Sequence, residues 1–423
     1  MKTIASPYVV LALFALSLLA LAVTGRPIYA RLSYLWGFLL AGSWLWAALA
    51  LRGIQVRRTA RTLRAQVGHI FQERFEVQNS SVLPRMWLEV CDQSVLPGSQ
   101  GSRVLTMLRG RQERSYLARV RLVQRGVFPL GPTVLASGDL FGLFPVKRTV
   151  PSDGSLLVYP MMVQVHTFPS PPGLLPGGEA LRRRTPQVTP NAAGVREYVP
   201  GDSLNRIHWL TTARRERLMV KEFELDPLAK VWVFLDAARE VQFALPYSLS
   251  ALALDVLWHP STDVTLPPST EEYAVSIAAS LARYFLQRGR EVGLVSCGRS
   301  QSPAVLPPDR GGRQLGKILE ALALLRSEGD LPISALATAE AQHLPRGSTV
   351  ILITPSVQEE VALAADVLLR RGLRPVVVLL DAASFGGLSG TADLAAAITA
   401  LNVPVCQVTN GADLAMALGM AGA

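Results

Sequence analysis

Cysteine is scarce in this chain of 423 residues. Cys91, Cys297 and Cys406 lie far apart, with no CxxC and no Cys/His cluster. That excludes a disulfide framework and a thiolate zinc site, and leaves three small, buried, apolar side chains suited to a reducing compartment. Histidine is equally thin: His69, His166, His208, His259 and His343 are scattered, and none pairs with a nucleophile. There is no GxSxG, no GxxxxGK[ST] and no GxGxxG; Gly311-Gly312 opens a helix but stands away from any predicted strand. An enzymatic reading therefore has no residues to carry it. Acidic residues are nearly missing from the first 150 positions, with six against 19 Lys/Arg, or +13. The remainder holds 23 basic and 26 acidic residues, or −3. A nucleic-acid binder would concentrate its basic residues on a recognition domain. Here they lie beside an apolar N-terminal segment, where anionic lipid headgroups are the nearer partner.

Apolar residues are abundant, at 49% against 17% charged, and the mean hydropathy is +0.28. Two runs open the chain, Ile4–Thr24 and Arg31–Leu51, separated by a turn at Gly25-Arg26-Pro27. Each is about 20 residues, enough for a helix to span about 30 Å of hydrocarbon. Tyr29, Trp36, Trp44 and Trp46 include aromatics of the kind that settle at headgroup level. A second run follows the first at once, which argues against a cleaved signal peptide. The turn carries Arg26 and Arg31; the outer flanks carry Lys2, Arg52, Arg57, Arg58, Arg61 and Arg64. That bias predicts a two-span hairpin over 1–52 in the cell membrane, with both ends and the soluble body cytoplasmic. The flanking arginines are expected to meet lipid.

Residues 53–165 read as an antiparallel, sandwich-like β domain. Short alternating stretches such as Arg74–Val77, Trp87–Val90 and Tyr116–Val123 are punctuated by Asn79-Ser80-Ser81, Pro97-Gly98 and Gly131-Pro132. A Pro/Gly-rich linker is expected over 166–195. From residue 230 to 423 apolar strands alternate with helices, which predicts a mostly parallel sheet covered on both faces. Val231–Asp236 is a buried strand ending in a carboxylate. Ligands of such folds sit beyond the C-terminal strand ends, so the loops after Asp236, Cys297 and Thr354 are the places to look.

The segment 196–229 contains the most specific pattern: Arg196-Glu197-Tyr198-Val199-Pro200-Gly201-Asp202-Ser203-Leu204-Asn205-Arg206-Ile207-His208-Trp209-Leu210-Thr211-Thr212-Ala213-Arg214. Pro200-Gly201 makes a turn and Asp202 is placed to cap a following helix, on which Arg206, Trp209 and Ala213 would share a face. The charges of Arg196, Asp202, Arg206 and Arg214 could gather around the one indole. The segment reads chiefly as a structural joint with a buried Trp209, and secondarily as a docking surface.

This stretch resembles the signature of the bacterial domain-of-unknown-function family numbered fifty-eight, through Arg196, Tyr198, Gly201, Asp202, Arg206, Trp209, Ala213 and Arg214. Leu210 departs from the basic residue expected after the tryptophan. Arg125–Pro132 and Gly138–Phe144 are similar to a second passage of that family. The resemblance implies a von Willebrand factor A-like C-terminal domain and work beside a MoxR-type AAA+ ATPase in assembling or activating other complexes. A domain of that kind holds Mg²⁺ through a DxSxS loop after its first strand. Here the loop reads Asp236-Ala237-Ala238-Arg239-Glu240, keeping the first carboxylate and losing both hydroxyls at Ala238 and Glu240. No metal and no cofactor is expected. The fold class is thus α+β and multidomain, and the favoured function is a membrane-anchored scaffold that binds a protein partner and no nucleic acid. The rivals are a membrane-surface hydrolase or transferase and an accessory subunit of a transport complex.

Overall fold

The computed structural model describes residues 7–99, 102–152, 154–169, 192–199, 207–223, 230–247, 265–298 and 303–419. The chain divides into two units: Met1–Met161 with Tyr247–Thr265, and Met162–Pro246 with Leu266–Ala423.

The first unit begins with helices α1 (Pro7–Thr24) and α2 (Pro27–Ala50), both long and apolar enough to cross a membrane. α2 starts four residues before the predicted run, because Pro27 at its first turn needs no N–H partner and supplies a helical φ. The two helices pack closely. The Ser17 and Ser33 hydroxyls meet at 3.0 Å, and Gly37 leaves room for the Phe14 ring. Ten strands follow: β1 (Ile54–Ala60), β2 (Arg64–Gln66), β3 (Ile70–Asn79), β4 (Arg85–Asp92), β5 (Ser102–Leu108), β6 (Glu113–Arg121), β7 (Gly126–Pro129), β8 (Thr133–Gly138), β9 (Pro145–Val150) and β10 (Ser155–Tyr159). Two antiparallel sheets, β1-β3-β6 and β5-β4-β8-β9, enclose Ile54, Phe75, Val77, Leu88, Val90, Leu108 and Leu135, with Leu51 closing the core below α2. The alternation of buried and open positions along β3 places Phe71, Phe75 and Val77 inside. A third, mixed sheet, β2-β10-β7, covers a second core built on Phe71, Leu122, Leu156 and Val158.

Arg58 corrects one expectation. It does not reach for lipid. Its guanidinium is held at 2.5 Å from Glu73 and 2.8 Å from Asp92, and all three side chains are largely buried. The period-two pattern explains this: Arg57 points out of β1, so Arg58 points in.

The second unit starts earlier than the predicted linker allows. The Val163 amide donates to Ser280 Oγ at 3.0 Å, and Phe168 packs edge-on against Phe285. The end of the predicted linker is also structured. β11 (Ala192–Glu197) pairs antiparallel with β12 (Met219–Phe223), and α3 (Trp209–Arg215) lies between them in the chain. Residues 170–191 of the linker lie outside the described residues.

The α/β body contains β13 (Val231–Leu235), α4 (Thr270–Gln287), β14 (Val292–Ser296), β15 (Ala304–Asp309), α5 (Gly312–Leu324), α6 (Ile333–Glu340), β16 (Thr349–Thr354), α7 (Glu360–Arg370), β17 (Arg374–Leu380), α8 (Thr391–Ala400), β18 (Val405–Val408) and α9 (Leu414–Gly419). The sheet order is β15-β14-β13-β16-β17-β18, parallel throughout except for β15. β13 and β16 are buried at every position, as expected of strands covered on both faces. Sequence reading overlooked β15. Its Pro307-Pro308 discourages a strand, yet an edge strand tolerates missing N–H donors. Its discovery means that Gly311-Gly312 does follow a strand closely.

Candidate functional site

The order of the six strands reverses between β13 and β16, the position at which open α/β sheets usually hold their ligands. Asp236 follows β13 and Thr354 ends β16. The Thr354 hydroxyl donates to Asp236 Oδ2 at 2.6 Å, and the Ala238 amide donates to Oδ1 at 3.1 Å. The pair is fully enclosed. Burial pushes the Asp236 carboxyl up to about 6, against the opposing pull of those two hydrogen bonds. Thr354 Oγ1 in turn accepts from the Ser356 amide at 2.9 Å. On the other side, Gln242 Nε2 donates to the Asp236 carbonyl at 3.0 Å, and Thr270 Oγ1 donates to Gln242 Oε1 at 2.7 Å. This ties the start of α4 to the same turn.

The neighbouring crevice is filled by backbone. Gly329 bridges in parallel to Ala238, its N–H donating to the Ala237 carbonyl and its carbonyl accepting from the Arg239 amide. A Cβ at Gly329 would fall 2.1 Å from the Cys297 carbonyl oxygen, so only glycine fits between the ends of β13 and β14. The turn after Asp236, one of the expected ligand positions, is thus packed against the backbone at Gly329; the loop after Cys297 lies outside the described residues from 299 to 302.

The donor set does not suit a magnesium ion, which asks for several free oxygen ligands. Both Asp236 oxygens already accept from protein donors, Ala238 offers a buried methyl, and Glu240 is exposed on the short helical turn Arg239–Val241. Among the described residues no three His, Cys, Asp or Glu side chains gather as a metal group. Burial also raises the thiols of Cys91, Cys297 and Cys406, the last to about 12, which disfavours the nucleophilic thiolate.

The signature segment is arranged differently from its expectation. Ile207 makes a bridge to Val220 and His208 adopts a non-helical φ,ψ of −90°, 84°. The helical register therefore does not run from Arg206 through Trp209. His208 itself caps α3: its Nδ1 accepts from the Thr211 amide at 3.3 Å and lies 2.7 Å from Thr211 Oγ1. The Thr212 hydroxyl accepts from the Met219 amide, and the His208 amide donates to the Met219 carbonyl, which seats α3 on β12. Trp209 is 68% exposed, a correction to the buried indole. The physical reason is that Ile207, Met219 and Val220 fill the interior of this small layer and leave the first helical turn facing outward. Leu210, Arg214 and Arg215 are exposed beside it, as are Val195, Val199 and Leu218. Tyr198 is half-buried, and its amide donates to the Leu218 carbonyl. Gly201, Asp202, Arg206 and the Arg196 side chain lie outside the described residues.

Residues 194–382, from within β11 to the turn after β17, match the family described as "Protein of unknown function DUF58". The uncharacterized protein YeaD of Bacillus subtilis (strain 168) is 25% identical over 250 residues, covering 58% of this chain and 54% of YeaD. The chain thus matches about half the length of that relative. Among solved structures, proximal thread matrix protein 1 from the mussel byssus aligns at a TM-score of 0.25 and 10% identity, over 42% of this chain and 49% of that one. The CARDB domain of a Pyrococcus furiosus protein, solved with di-metal ions, aligns at 0.18 and 9%, over 25% of this chain and 91% of that one.

Proposed function

We propose that this protein is a membrane-anchored, non-enzymatic adaptor. α1 and α2 hold it in the cell membrane with the soluble body cytoplasmic, and the signature segment docks a protein partner. The exposed Trp209 and Leu210, displayed on a helix fixed to β12, carry the reading. Tryptophan and arginine are the side chains that dominate binding energy at protein interfaces, and here both stand on one short helix. The α/β body is read as von Willebrand factor A-like. The six-strand order with a single antiparallel edge strand supports this, as does the carboxylate at the end of the first strand. A MoxR-type AAA+ ATPase is the partner that the family resemblance suggests. The saturated Asp236 and the raised thiols support a binding role over a catalytic one.

The test is Trp209→Ala in the full chain. An exposed residue can be truncated with a stability change within about 0.5 kcal/mol, whereas a central interface tryptophan costs about 2 kcal/mol or more of binding. The variant should melt like the parent and lose capture of a purified MoxR-type ATPase. A lowered melting temperature with capture intact would return the segment to a structural joint.

A further inference from the structure

The end of the β domain from which α2 emerges carries exposed apolar side chains on several loops. Three loops lie there; hydrogen bonds tie the turn after β3 to residues 52–53 and the β5–β6 turn to that turn. The turn after β3 is tied to the α2 exit: the Ser80 amide and hydroxyl both donate to the Gly53 carbonyl at 2.8 Å. Arg85, at the start of β4, donates to the Arg52 carbonyl at 2.7 Å. The β5–β6 turn stacks on the same place, with the Arg111 amide donating to the Ser81 carbonyl at 3.0 Å. A Cβ at Gly110 would fall 2.0 Å from the Val82 carbonyl oxygen, so the two turns are in backbone contact.

The third loop reaches this end through sheet register. Glu89 pairs with Ala136 and Asp92 with Thr133, so continuing the antiparallel register sets the β8–β9 loop level with Arg85. The loop is Asp139–Phe144, from the "Gly-Asp-Leu-Phe-Gly-Leu-Phe" passage that the sequence singled out. Asp139 is buried, and its two oxygens accept from the Phe141 and Phe144 amides at 3.0 and 2.7 Å. That turn holds Leu143 inside and sends Leu140 and Phe141 outward.

These loops and the end of β5 display Val82 (74% exposed), Leu83, Met107, Leu140 and Phe141 (61% exposed) into solvent. Arg52, Arg109 and Arg111 are exposed among them, while the one carboxylate of the three loops, Asp139, faces inward. Apolar tips interleaved with arginines, with no exposed acid in the three loops themselves and Glu113 exposed only where β6 begins, suit the boundary between acyl chains and anionic headgroups. The position is continuous with two helices that can cross a membrane.

We infer that this rim is a membrane-contacting collar: the β domain rests its α2 end in the interfacial region of an anionic bilayer, with Val82, Leu83, Leu140 and Phe141 dipping below the headgroups and the arginines pairing with phosphates. The inference rests on the reading of α1 and α2 as spanning helices. The collar holds the domain at a fixed height and limits its tilt.

Bimane attached to single introduced cysteines tests it, in the full chain reconstituted into phosphatidylethanolamine/phosphatidylglycerol vesicles. Val82→Cys and Phe141→Cys probe the collar. Ile70→Cys, at the far end of β3 and about 30 Å away at 3.3 Å per residue, is the aqueous control. Phe38→Cys, exposed midway along α2, reports spanning. The parent chain, carrying its three native cysteines, sets the labelling background. Lipids with a nitroxide near the headgroup should reduce emission at positions 82 and 141 roughly twofold or more, consistent with apolar tips lying about 5–10 Å into the boundary. They should leave position 70 unchanged, and lipids with a deep nitroxide should quench position 38. If position 38 is quenched while 82 and 141 behave like 70, the collar is wrong and the anchor stands. Quenching at only one of the two collar positions also refutes the ring. If position 38 is not quenched, the anchor fails and takes the collar with it.

Discussion

Thr354→Val isolates the contact at the sheet's reversal point. Valine keeps the volume and removes the hydroxyl, which donates to the buried Asp236 carboxyl at 2.6 Å. Above its raised value of about 6, Asp236 is a carboxylate, and a hydrogen bond to a charged acceptor contributes about 1.5–3 kcal/mol. Below that value it is a neutral acid, and the same bond contributes about 0.5–1.5 kcal/mol. The Ser356 amide, which donates to Thr354 Oγ1, loses its acceptor at either pH and adds about 1–3 kcal/mol to both. The loss should therefore be larger at pH 8 than at pH 5, by about 1–1.5 kcal/mol. In the parent, the gap between the ordinary 3.8 and about 6 corresponds to about 3 kcal/mol. A carboxyl whose value rises on folding binds its proton more tightly when folded. Its favourable contribution is complete below about 3.8 and is lost as pH climbs through about 6. Removing the donor pushes the carboxyl higher and widens that window. The assay is thermal unfolding of the full chain in detergent, followed by tryptophan fluorescence, since Trp232 is buried in β13, the strand that Asp236 follows. At about 2–4 °C per kcal/mol for a body of this size, the extra loss at pH 8 amounts to about 2–6 °C. Thr354→Ser keeps the hydroxyl and should keep most of the stability. Equal losses at the two pH values, or no loss at all, would refute the assignment of Thr354 as the donor to a titrating Asp236.

Arg58→Met should destabilise the β domain by about 3–5 kcal/mol, because Glu73 and Asp92 are left as buried charges with no cation between them; Arg58→Met with Glu73→Gln should recover part of the loss, measured by melting. Gly110→Ala should cost about 1–3 kcal/mol, since its methyl meets the Val82 carbonyl oxygen and the two turns must part; limited proteolysis at residues 80–84 is the readout, and an unchanged cleavage rate counts against the packed turns. Titration of the full chain with Mg²⁺ should show no heat that Asp236→Ala abolishes, because both carboxylate oxygens already have protein donors; a micromolar site lost in that variant would overturn this. A reporter fused after Ala423 should be active only as a cytoplasmic fusion, and periplasmic phosphatase activity there would reverse the orientation.

Composition and short-range pattern were enough for much of this protein. Unbroken apolar runs of about 20 residues can be little other than buried or membrane helices; α2 opens four residues early at Pro27 and ends one residue early at Ala50, and α1 is described from Pro7 to the expected Thr24. Alternation in steps of two made β3 and β6 legible, and continuous apolar runs such as Val231–Leu235 and Thr349–Thr354 read as buried strands. β15 was illegible because its two prolines are tolerated only at a sheet edge, and edge position is a property of the assembled sheet. α6 and α8 were missed because Ile333–Glu340 and Thr391–Ala400 are short and weakly patterned, so packing against the sheet decides their state.

The candidate site divides in the same way. Asp236 was visible as a carboxylate ending an apolar strand. Its partner was not, because Thr354 lies 118 residues away and meets it only when β13 and β16 become neighbours. Trp209 shows the opposite failure: a large aromatic among charges suggested burial, but Ile207, Met219 and Val220 occupy the available interior. The collar is wholly a product of tertiary structure. Val82 and Phe141 sit in separate loops and Met107 near the end of β5, with no shared local pattern, and antiparallel pairing in two sheets brings them to one end. Local sequence determined which segments could be helix, strand or membrane span, because those preferences act over a few residues. Which side chains meet, which face water and which end of the domain turns toward the helices was decided by strand register, which is satisfied only across the whole fold.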